Sequence, residues 1–431
     1  MTNPPRVLAV MCAGMFLVLL DVTIVNVALP SIGNDLGASV SALQWVVDGY
    51  AVAIASLLLA GGTLGDRLGH RRVLLLGFGL FGAASLGCAL APVVGVLIAA
   101  RVVQGVGGAL LLPSTMAVIA DVYPERGEQS RALGTWAAVS SLALPAGPLL
   151  GGLLVDAATW RLVFWINIPI VAVVLAATRR VVPALPGRQG GRFDLVGLVG
   201  LVLGLGGFVF TVVAAGRDAA AVVIAAGAVV TVLAIVVGLR AEARAADPVL
   251  PLRLLRTRAF VSPNLVALTM NLVFNGLLFV CTLYLQDVRG RSPLQAGLLV
   301  LPLAAPLVAL APLSGRLTAA RGPRTAVVAG CAIALPGALF LLGVRPDAGI
   351  GWLVTAFAVL GCGAGLVTAS VVAAAVQATP ADRSGLATGV SNTARQTGTA
   401  SGVAIYGAVA GSPAAAASFV AGMHVLAIGS A

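Results

Sequence analysis

The stretch "LAVMCAGMFLVLLDVTIVNVALP", residues 8–30, is an apolar run with one carboxylate, Asp21, near its middle. A helix crosses the hydrocarbon core of a bilayer in about 20 residues, so this run is long enough to span a membrane. A carboxylate inside a spanning helix is costly to bury without a partner, and such groups mark functional sites by default. The run therefore predicts a transmembrane helix and, at Asp21, a site.

The whole chain has the composition of a protein that crosses a membrane many times. Of its 431 residues, 59% are hydrophobic and only 10% are charged, and its mean hydropathy is +1.06. Soluble domains carry about 25% charged residues, which excludes an ordinary soluble fold. The net charge of +11 comes from arginine, because the chain contains no lysine. These arginines lie in short segments between apolar runs, so we expect no nucleic-acid partner.

Enzyme chemistry is not expected. No segment between the apolar runs is long enough for a catalytic domain, and the two histidines, His70 and His424, lie far apart in the sequence. Without lysine the chain cannot contain the GxxxxGK[ST] loop that binds phosphate in ATP-driven pumps. We therefore expect no enzymatic activity, no catalytic residues, no metal site and no cofactor.

Fourteen apolar runs are predicted to be transmembrane helices. Most contain about 20 residues or more, the length that crosses the core of a bilayer. The runs are 7–30, 44–64, 73–92, 94–119, 133–155, 162–178, 194–215, 219–239, 262–285, 294–318, 324–343, 350–376, 386–410 and 414–431, of which the last is short. An even number of spans places both termini on the same side of the membrane.

The arginines predict which side this is. If the N-terminus is cytoplasmic, 19 of the 26 arginines lie in cytoplasmic segments and five in outer loops, as the positive-inside rule requires. The other two, Arg101 and Arg395, lie within apolar runs. We expect a multi-pass protein of a bacterial cytoplasmic (inner) membrane with both termini in the cytoplasm. The abundance of alanine, glycine and valine, and arginine in place of lysine, favour a bacterium of high GC content.

Two cytoplasmic loops resemble each other and indicate an internal repeat. The segment "GTLGDRLGHRR" (62–72) joins spans two and three, and "GRLTAARGPRT" (315–325) joins spans ten and eleven. The matched positions are Gly62 with Gly315, Gly69 with Gly322 and Arg71 with Arg324, while Asp66 and Arg67 are replaced by Ala319 and Ala320. Parallel repeats of this kind build transporters that alternate about a central site. Chance matching of glycine and arginine is the alternative.

Three segments of the N-terminal half resemble motifs of a known family. The segment 62–72 is similar to the signature loop of the major facilitator superfamily. "RVVQGVGGALLLPS" (101–114) resembles the fourth-span motif of that family. "ALPAGPLLGGLL" (143–154) resembles its fifth-span antiporter motif, with Ala143 in place of the usual leading glycine.

Other segments resemble one branch of the family. "LDVTIVNVALP" (20–30) and "WRLVFWINIP" (160–169) are similar to the fourteen-helix drug:proton antiporters of the QacA/EmrB type. The C-terminal half resembles that branch in its span count and in "GVSNTARQTG" (389–398). The resemblance implies an all-α membrane protein with the major facilitator fold, which consists of two six-helix bundles plus two extra central helices.

Domain boundaries follow from the spans and from a polar segment rich in proline and glycine after span six. The expected organisation is an N-terminal six-helix bundle (1–178), a cytoplasmic linker (179–193), two inserted helices (194–240), a cytoplasmic loop (241–261) and a C-terminal six-helix bundle (262–431).

Three charged residues are expected to share one layer of the membrane. At a rise of about 1.5 Å per residue, Asp21 lies about 21 Å from the cytoplasmic end of span one. Asp48 and Arg101 lie about 6 Å and 10 Å below the outer surface on spans two and four. Burial disfavours a charged carboxylate and a nearby arginine favours it, so a change in the separation of Asp21 and Arg101 would bind and release a proton. We therefore predict a proton-coupling site at Asp21, Arg101 and Asp48.

Alternatives remain at each of these positions. Asp21 and Arg101 could form a structural pair that does not titrate, and Asp48 could reach interfacial water. Arg395 lies within span thirteen and could contact substrate or only fix a helix. Together with Asn26 and Gln104 it is a candidate for the substrate cavity.

The family resemblance also assigns roles to two groups of residues. The antiporter motif, Gly147, Pro148, Gly151 and Gly152, is expected to seal the outer side when the carrier faces inward, with ordinary close packing of helices as the alternative. The cytoplasmic gating loop is expected to consist of Gly62, Asp66, Arg67, Gly69, Arg71 and Arg72.

These features predict a proton-coupled antiporter that exports amphipathic drug- or antibiotic-like small molecules across the cytoplasmic membrane. Its expected partners are a small-molecule substrate, protons and the lipid bilayer, and we expect a monomer. Two other functions remain open. One is a proton-coupled uptake carrier for a small nutrient, against which the antiporter motif argues. The other is a polytopic membrane protein without transport activity, against which the repeat and the buried charges argue.

Overall fold

A computed structural model describes residues 3–184, 187, 194–215, 220–245, 253–291, 293–345, 349–379, 384–410 and 416–430. These residues form helices joined by turns. The helices are α1 (Pro4–Leu36), α2 (Val40–Leu68), α3 (His70–Ala89), α4 (Val94–Val122), α5 (Arg126–Ser141), α6 (Ala143–Ala157), α7 (Leu162–Trp165), α8 (Asn167–Val181), α9 (Leu195–Ala215), α10 (Ala221–Arg244), α11 (Arg258–Leu283), α12 (Pro293–Arg321), α13 (Pro323–Phe340), α14 (Gly351–Gln377), α15 (Ser384–Ala410) and α16 (Ala416–Ser430). The expected all-helical membrane architecture is therefore confirmed.

The number of spans differs from a simple count of apolar runs. Within the described ranges, 11 helical segments are long and apolar enough to cross a membrane, with α7 and α8 forming one of them. The three remaining predicted runs fall on the α5–α6 pair, on the more polar α15 and on α16, which has only 15 residues. The protein is thus a multi-pass membrane protein, and the exact count of fourteen spans stays a prediction.

The break between α5 and α6 lies at Leu142. Pro145 has no N–H group to donate to the carbonyl of Ser141, four residues earlier, so the helical hydrogen-bond pattern is interrupted there. The interruption lies at the start of the segment that resembles the antiporter motif.

Each half of the chain has its own apolar core. The core of the N-terminal half is built mainly from α1 to α5 and contains Leu17, Phe78, Phe81, Leu111 and Trp136. The core of the C-terminal half joins α11 to α16 and contains Leu277, Phe357, Leu360, Tyr406 and Phe419. The first core also includes Ala311 of α12 and Ala369, Val372 and Ala373 of α14, so a relative movement of the halves would break these contacts while leaving most of each core intact.

The inserted helices α9 and α10 lie at the edge of this assembly. They approach closely where Gly200 faces Gly238, since a Cβ at Gly200 would lie 2.5 Å from the Gly238 Cα. Helix α9 packs on α2, where the rings of Trp45 and Phe210 stack at 5.9 Å. Helix α10 carries a row of exposed valine and leucine side chains, as expected of a lipid-facing helix.

The helices run past several predicted boundaries. Helix α8 continues to Val181, inside the predicted linker, and α10 continues to Arg244, inside the predicted loop. Helix α11 starts at Arg258 rather than at 262. Arginine is a good helix former and keeps its charged group in the interfacial region, so helices can extend beyond their apolar part. Hydropathy alone does not show where such a helix ends. Most of the predicted linker, and residues 246–252 of the predicted loop, lie outside the described residues.

The two loops that match in sequence also match in structure. Gly69 precedes α3 with φ of 87°, and Gly322 precedes α13 with φ of 82°. Residues with a side chain rarely adopt such values, so glycine is required at both positions. The same backbone turn thus occurs at corresponding places in the two halves, which supports the internal repeat.

Candidate functional site

Asp21 lies at the centre of a sealed polar cluster. Its side chain is 0% exposed, and that of its ion-pair partner Arg101 is 1% exposed. Arg101 Nη1 donates to Asp21 Oδ2. Asp21 Oδ1 accepts from Gln104 Nε2 at 2.9 Å and from Asn167 Nδ2 at 3.0 Å. The carboxylate on α1 thus binds two groups of α4 and one of α8.

A fourth helix completes this arrangement. The Ser85 hydroxyl oxygen on α3 accepts from Gln104 Nε2 at 2.8 Å and from Asn167 Nδ2 at 3.2 Å. We refer to Asp21, Ser85, Arg101, Gln104 and Asn167 as the Asp21 cluster. The cluster joins α1, α3, α4 and α8, so a movement of any of these helices changes the surroundings of the carboxylate.

The guanidinium of Arg101 is fixed from several directions. Its Nε donates to the Val46 carbonyl on α2 at 3.0 Å, and its Nη1 donates to Gln104 Oε1 at 2.7 Å. The ring of Tyr50 lies 4.1 Å from Arg101 Cζ, within the range of a cation–π contact. These contacts offset part of the cost of burying the Arg101 charge even without the carboxylate.

Several site predictions can now be compared with these contacts. The expected pairing of Asp21 with Arg101 is present, and its role in proton coupling stays a prediction. Asp48 is half-buried on α2, and its role in proton coupling also stays a prediction. Gln104, which we expected in the substrate cavity, is 0% exposed inside the cluster, and its role in substrate binding stays a prediction. Hydropathy does not reveal which way a polar residue points around a helix.

Sequence reasoning missed Ser85 and Asn167. Asn167 lies in the segment "WRLVFWINIP", which we quoted only for its family resemblance. An amide within an apolar run was the available signal, because a buried amide needs partners of its own. Ser85 gave no comparable signal, since serine is frequent in membrane helices and satisfies itself on its own backbone.

The cluster supplies the Asp21 carboxylate with hydrogen-bond donors only. All three partners of Asp21 donate hydrogen bonds to it, and a protonated carboxyl would need an acceptor for its own O–H. Separation of α1 from α4 would remove two of the three donors and favour protonation. The geometry can therefore couple the binding of a proton to a movement of helices.

Replacement of Arg101 should shift the pH dependence of export. In Arg101→Ala, Asp21 loses its charged partner, and loss of a neighbouring cation favours the neutral form of a carboxyl group. We expect the pH of half-maximal export to rise, measured as initial rates in vesicles between pH 5 and pH 9. Arg101→Lys keeps the charge and should shift the profile less. A folded, active Arg101→Ala with the wild-type profile would show that the pair does not control titration.

The predicted gating loop joins the two halves of the molecule. Asp66 Oδ1 accepts from the backbone N–H of Gly385, and Oδ2 from that of Leu386, both at 2.8 Å. These N–H groups belong to the first turn of α15, where the helix dipole favours a negative charge. His70 Nε2 lies 3.2 Å from Asp66 Oδ1, the same oxygen that accepts from Gly385. Asp66 therefore connects the end of α2 to the start of α15.

Glycines allow the halves to approach at the same end. A Cβ at Gly62 would overlap the Gly385 carbonyl oxygen, and one at Gly315 would lie 2.6 Å from the Ser130 carbonyl oxygen. Gly62 and Gly315 are matched positions of the repeat, so each half presents the same glycine to the other half. The alternative of chance matching does not explain this symmetry.

Other residues of the gating loop have different roles. Gly69 supplies the positive φ already described, and Arg71 Nη2 donates to the Arg179 carbonyl at the end of α8. Arg72 is exposed, which suits a topological role alone. Arg67 is half-buried beside Asp66 in the sequence, and its role in gating stays a prediction.

Removal of the Asp66 charge should loosen this contact. In Asp66→Asn, the amide nitrogen cannot accept from one of the two N–H groups, and the charge at the helix terminus is lost. Such a charge contributes up to about 2 kcal/mol in a partly buried site, which corresponds to about 30-fold faster amide exchange. Hydrogen-exchange mass spectrometry of the peptide that contains Gly385 and Leu386 measures this. Asp35→Asn, a surface carboxylate paired with Arg161, is the control and should leave the peptide unchanged. Unaltered exchange in Asp66→Asn would contradict the assigned contact.

The antiporter motif packs against the helix that carries Asp21. A Cβ at Gly147 would overlap Thr23 Oγ1, and one at Gly151 would lie 3.1 Å from the Ile24 carbonyl oxygen. Thr23 Oγ1 also donates to the Ala143 carbonyl at 3.0 Å. A Cβ at Gly152, by contrast, would have no described atom of another helix within 4 Å. The side chain of Pro148 lies outside what the structure describes, and the sealing role of the motif stays a prediction.

Two other candidates for the substrate cavity remain. Asn26 on α1 is exposed, and its Nδ2 donates only to the Val22 carbonyl of its own helix, at 3.2 Å, among the described contacts. Arg395 is half-buried on α15. Neither residue belongs to the Asp21 cluster.

The sequence and the structure both match known proteins. The family model described as Major Facilitator Superfamily matches residues 11–403. The Multidrug resistance protein Stp of Mycobacterium tuberculosis is 33% identical over 92% of this chain and 74% of its own length. The Tetracenomycin C resistance and export protein of Streptomyces glaucescens is 33% identical over 94% of this chain and 75% of its own length. The crystal structure of the human organic anion transporter MFSD10 (TETRAN) superposes with a TM-score of 0.72 at 18% identity, over 99% of this chain and 97% of that one. At this identity the structural likeness shows the fold alone.

Proposed function

Because the chain belongs to the Major Facilitator Superfamily, we propose that it is a proton-coupled antiporter that exports amphipathic, drug- or antibiotic-like small molecules. It is a monomer of the fourteen-helix type in a bacterial cytoplasmic membrane, with both termini in the cytoplasm. The bundles 1–178 and 262–431 are its two moving bodies. The names of the bacterial relatives, a multidrug resistance protein and a resistance and export protein, support this class of substrate.

The Asp21 cluster is the observation that carries the proposal. A sealed carboxylate with three donors on neighbouring helices binds a proton only when those helices separate. Gly147 and Gly151 pack against Thr23 and Ile24, which follow Asp21 on α1. A movement of the antiporter motif therefore shifts the part of α1 that carries Asp21. Each proton that enters the cell also releases about 2.3 kcal/mol per 100 mV of membrane potential, and this energy drives the export step.

The contact between the halves defines the state of the carrier. With the termini in the cytoplasm, Asp66, Gly62 and Gly315 lie at the cytoplasmic end, so the conformation faces outward. Release of Asp66 from the start of α15 opens the cytoplasmic side for substrate. The two loops differ at this position, because Ala319 in the second loop matches Asp66 in the first. The second loop therefore has no carboxylate at the place where Asp66 holds the two halves together.

Transport in inside-out vesicles tests the proposal. Vesicles that contain the full chain are acidified inside, and tetracenomycin C and other amphipathic antibiotics are followed together with the internal pH. We expect the substrate to accumulate inside while the lumen becomes more alkaline than in control vesicles. An uptake carrier that moves protons and substrate together would expel the substrate with protons. A protein without transport activity would change neither signal, and either result would refute the proposal.

A further inference from the structure

We propose that Arg395 binds an anionic group of the transported compound, so that the preferred substrates are amphipathic monoanions such as carboxylates. The inference rests on the proposed transport function and names the substrate class of its central site. Arg395 lies 11 residues after Ser384 at the start of α15, or about 16 Å along the helix axis. In a hydrocarbon core about 30 Å thick this is close to the midplane, the depth at which carriers bind their substrates.

The face of α15 that carries Arg395 points toward the other half of the molecule. On this face Thr388 Oγ1 donates to the Pro113 carbonyl at 3.0 Å, and Asn392 Nδ2 lies 3.7 Å from Met116 Sδ, both on α4. Positions 388, 392 and 395 follow the spacing of one helix face. Arg395 therefore lies about one turn beyond the last of these contacts, toward the space between the halves.

Arg395 has no counter-charge in the part of the chain that the structure describes. No hydrogen bond, ion pair or ring contact involves its guanidinium there, although the side chain is half-buried. The sequence beyond residue 250 contains only three acidic residues, all outside the interiors of the predicted spans: Asp287, Asp347 and Asp382. The buried acid of the N-terminal half, Asp21, is already paired with Arg101.

An unpaired cation at this depth is costly unless a ligand supplies the opposite charge. A bound carboxylate would supply it and would fit the planar guanidinium with two parallel hydrogen bonds. A cationic compound would instead meet a like charge, and a neutral compound would leave the arginine uncompensated. Further polar groups lie one turn away, where Asn275 Nδ2 on α11 donates to Thr399 Oγ1 at 3.1 Å.

Equilibrium binding of three matched probes tests the assignment without any proton gradient. The full chain in lipid nanodiscs is titrated with tritiated 2-naphthoate, its neutral isostere 2-naphthamide and the cation 2-naphthylmethylamine, by scintillation proximity. We expect 2-naphthoate to bind the wild type at least about tenfold more tightly than either other probe. In Arg395→Gln, binding of 2-naphthoate should weaken about tenfold or more, while 2-naphthamide changes less than about twofold.

Two further variants keep the test decisive. Arg395→Lys retains the charge and should retain part of the preference, even if Arg395→Gln folds poorly. Arg161→Gln removes one positive charge from a partly exposed pair with Asp35 of α1 and should leave the preference unchanged. Equal binding of the three probes by the wild type, no saturable binding of 2-naphthoate, or a preference that survives in Arg395→Gln would each overturn the proposal. Preferential binding without export in vesicles would refute the exporter assignment and leave the anion site intact.

Discussion

Asp21→Asn is expected to abolish export driven by a pH gradient, down to the level of vesicles without the protein. The amide keeps the shape of the carboxylate and cannot bind and release a proton. The NH₂ group of the new asparagine cannot accept from the groups that now donate to the carboxylate, so at least one of their hydrogen bonds is lost. We expect this loss to lower the free energy of unfolding by about 1 to 3 kcal/mol. The contacts of Arg101 with Val46, Gln104 and Tyr50 limit this cost, and the variant should still fold.

Exchange of labelled for unlabelled substrate separates coupling from transport in this variant. Exchange requires no net proton movement, so Asp21→Asn should retain it while losing accumulation against a gradient. Asp35→Asn is the matched control, since it makes the same chemical change on the same helix at an exposed ion pair. It should accumulate substrate as the wild type does. Proton-driven accumulation at the wild-type rate by Asp21→Asn would refute the proton site.

Gly147→Val is expected to eliminate export by forcing α6 away from α1. Any Cβ at this position overlaps Thr23 Oγ1 and lies 2.9 Å from the Thr23 carbonyl carbon, so the backbone itself must move. Overpacking of this kind costs about 1 to 3 kcal/mol of folding stability. The contacted residue, Thr23, follows Asp21 by two positions on α1, so the change also disturbs the surroundings of the carboxylate. Initial export rates and thermal stability of the purified variant measure both effects.

The antiporter motif contains its own control. Gly152→Val introduces the same side chain five residues later on α6, where no described atom of another helix lies within 4 Å of the new Cβ. We expect export close to that of the wild type. If Gly152→Val were as inactive as Gly147→Val, close packing against α1 would not be the reason for the motif's glycines.

The sequence was sufficient for features that depend on distance along a helix. The pairing of Asp21 with Arg101 followed from their depths, because the rise of an α-helix is constant and the spans could be located by hydropathy. The matched loops were equally visible, since their glycines are fixed by a backbone turn with positive φ at Gly69 and Gly322. Features set by the local backbone, such as helix rise and positive φ, can therefore be recognised in the sequence.

Features that depend on rotation about a helix or on distant partners were not predictable. The contact of Gln104 with Asp21 was not predicted, and Asn167 was overlooked, because packing of neighbouring helices decides which face of a helix is buried. The partner of Asp66, the first turn of α15, lies more than 300 residues away in the sequence. The count of fourteen spans also stays a prediction, because length and hydropathy do not identify every span. Helix α15 is relatively polar and α16 has only 15 residues.

Proton release from the purified protein on addition of substrate tests the central claim most directly. If substrate and proton compete through Asp21, linkage requires that binding of one expels the other. In weakly buffered solution with a pH-sensitive dye, at a starting pH low enough for the free protein to hold the proton, the wild type should release up to about one proton per substrate bound. Asp21→Asn should bind substrate and release none. Equal proton release by the wild type and Asp21→Asn would contradict coupling through this carboxylate.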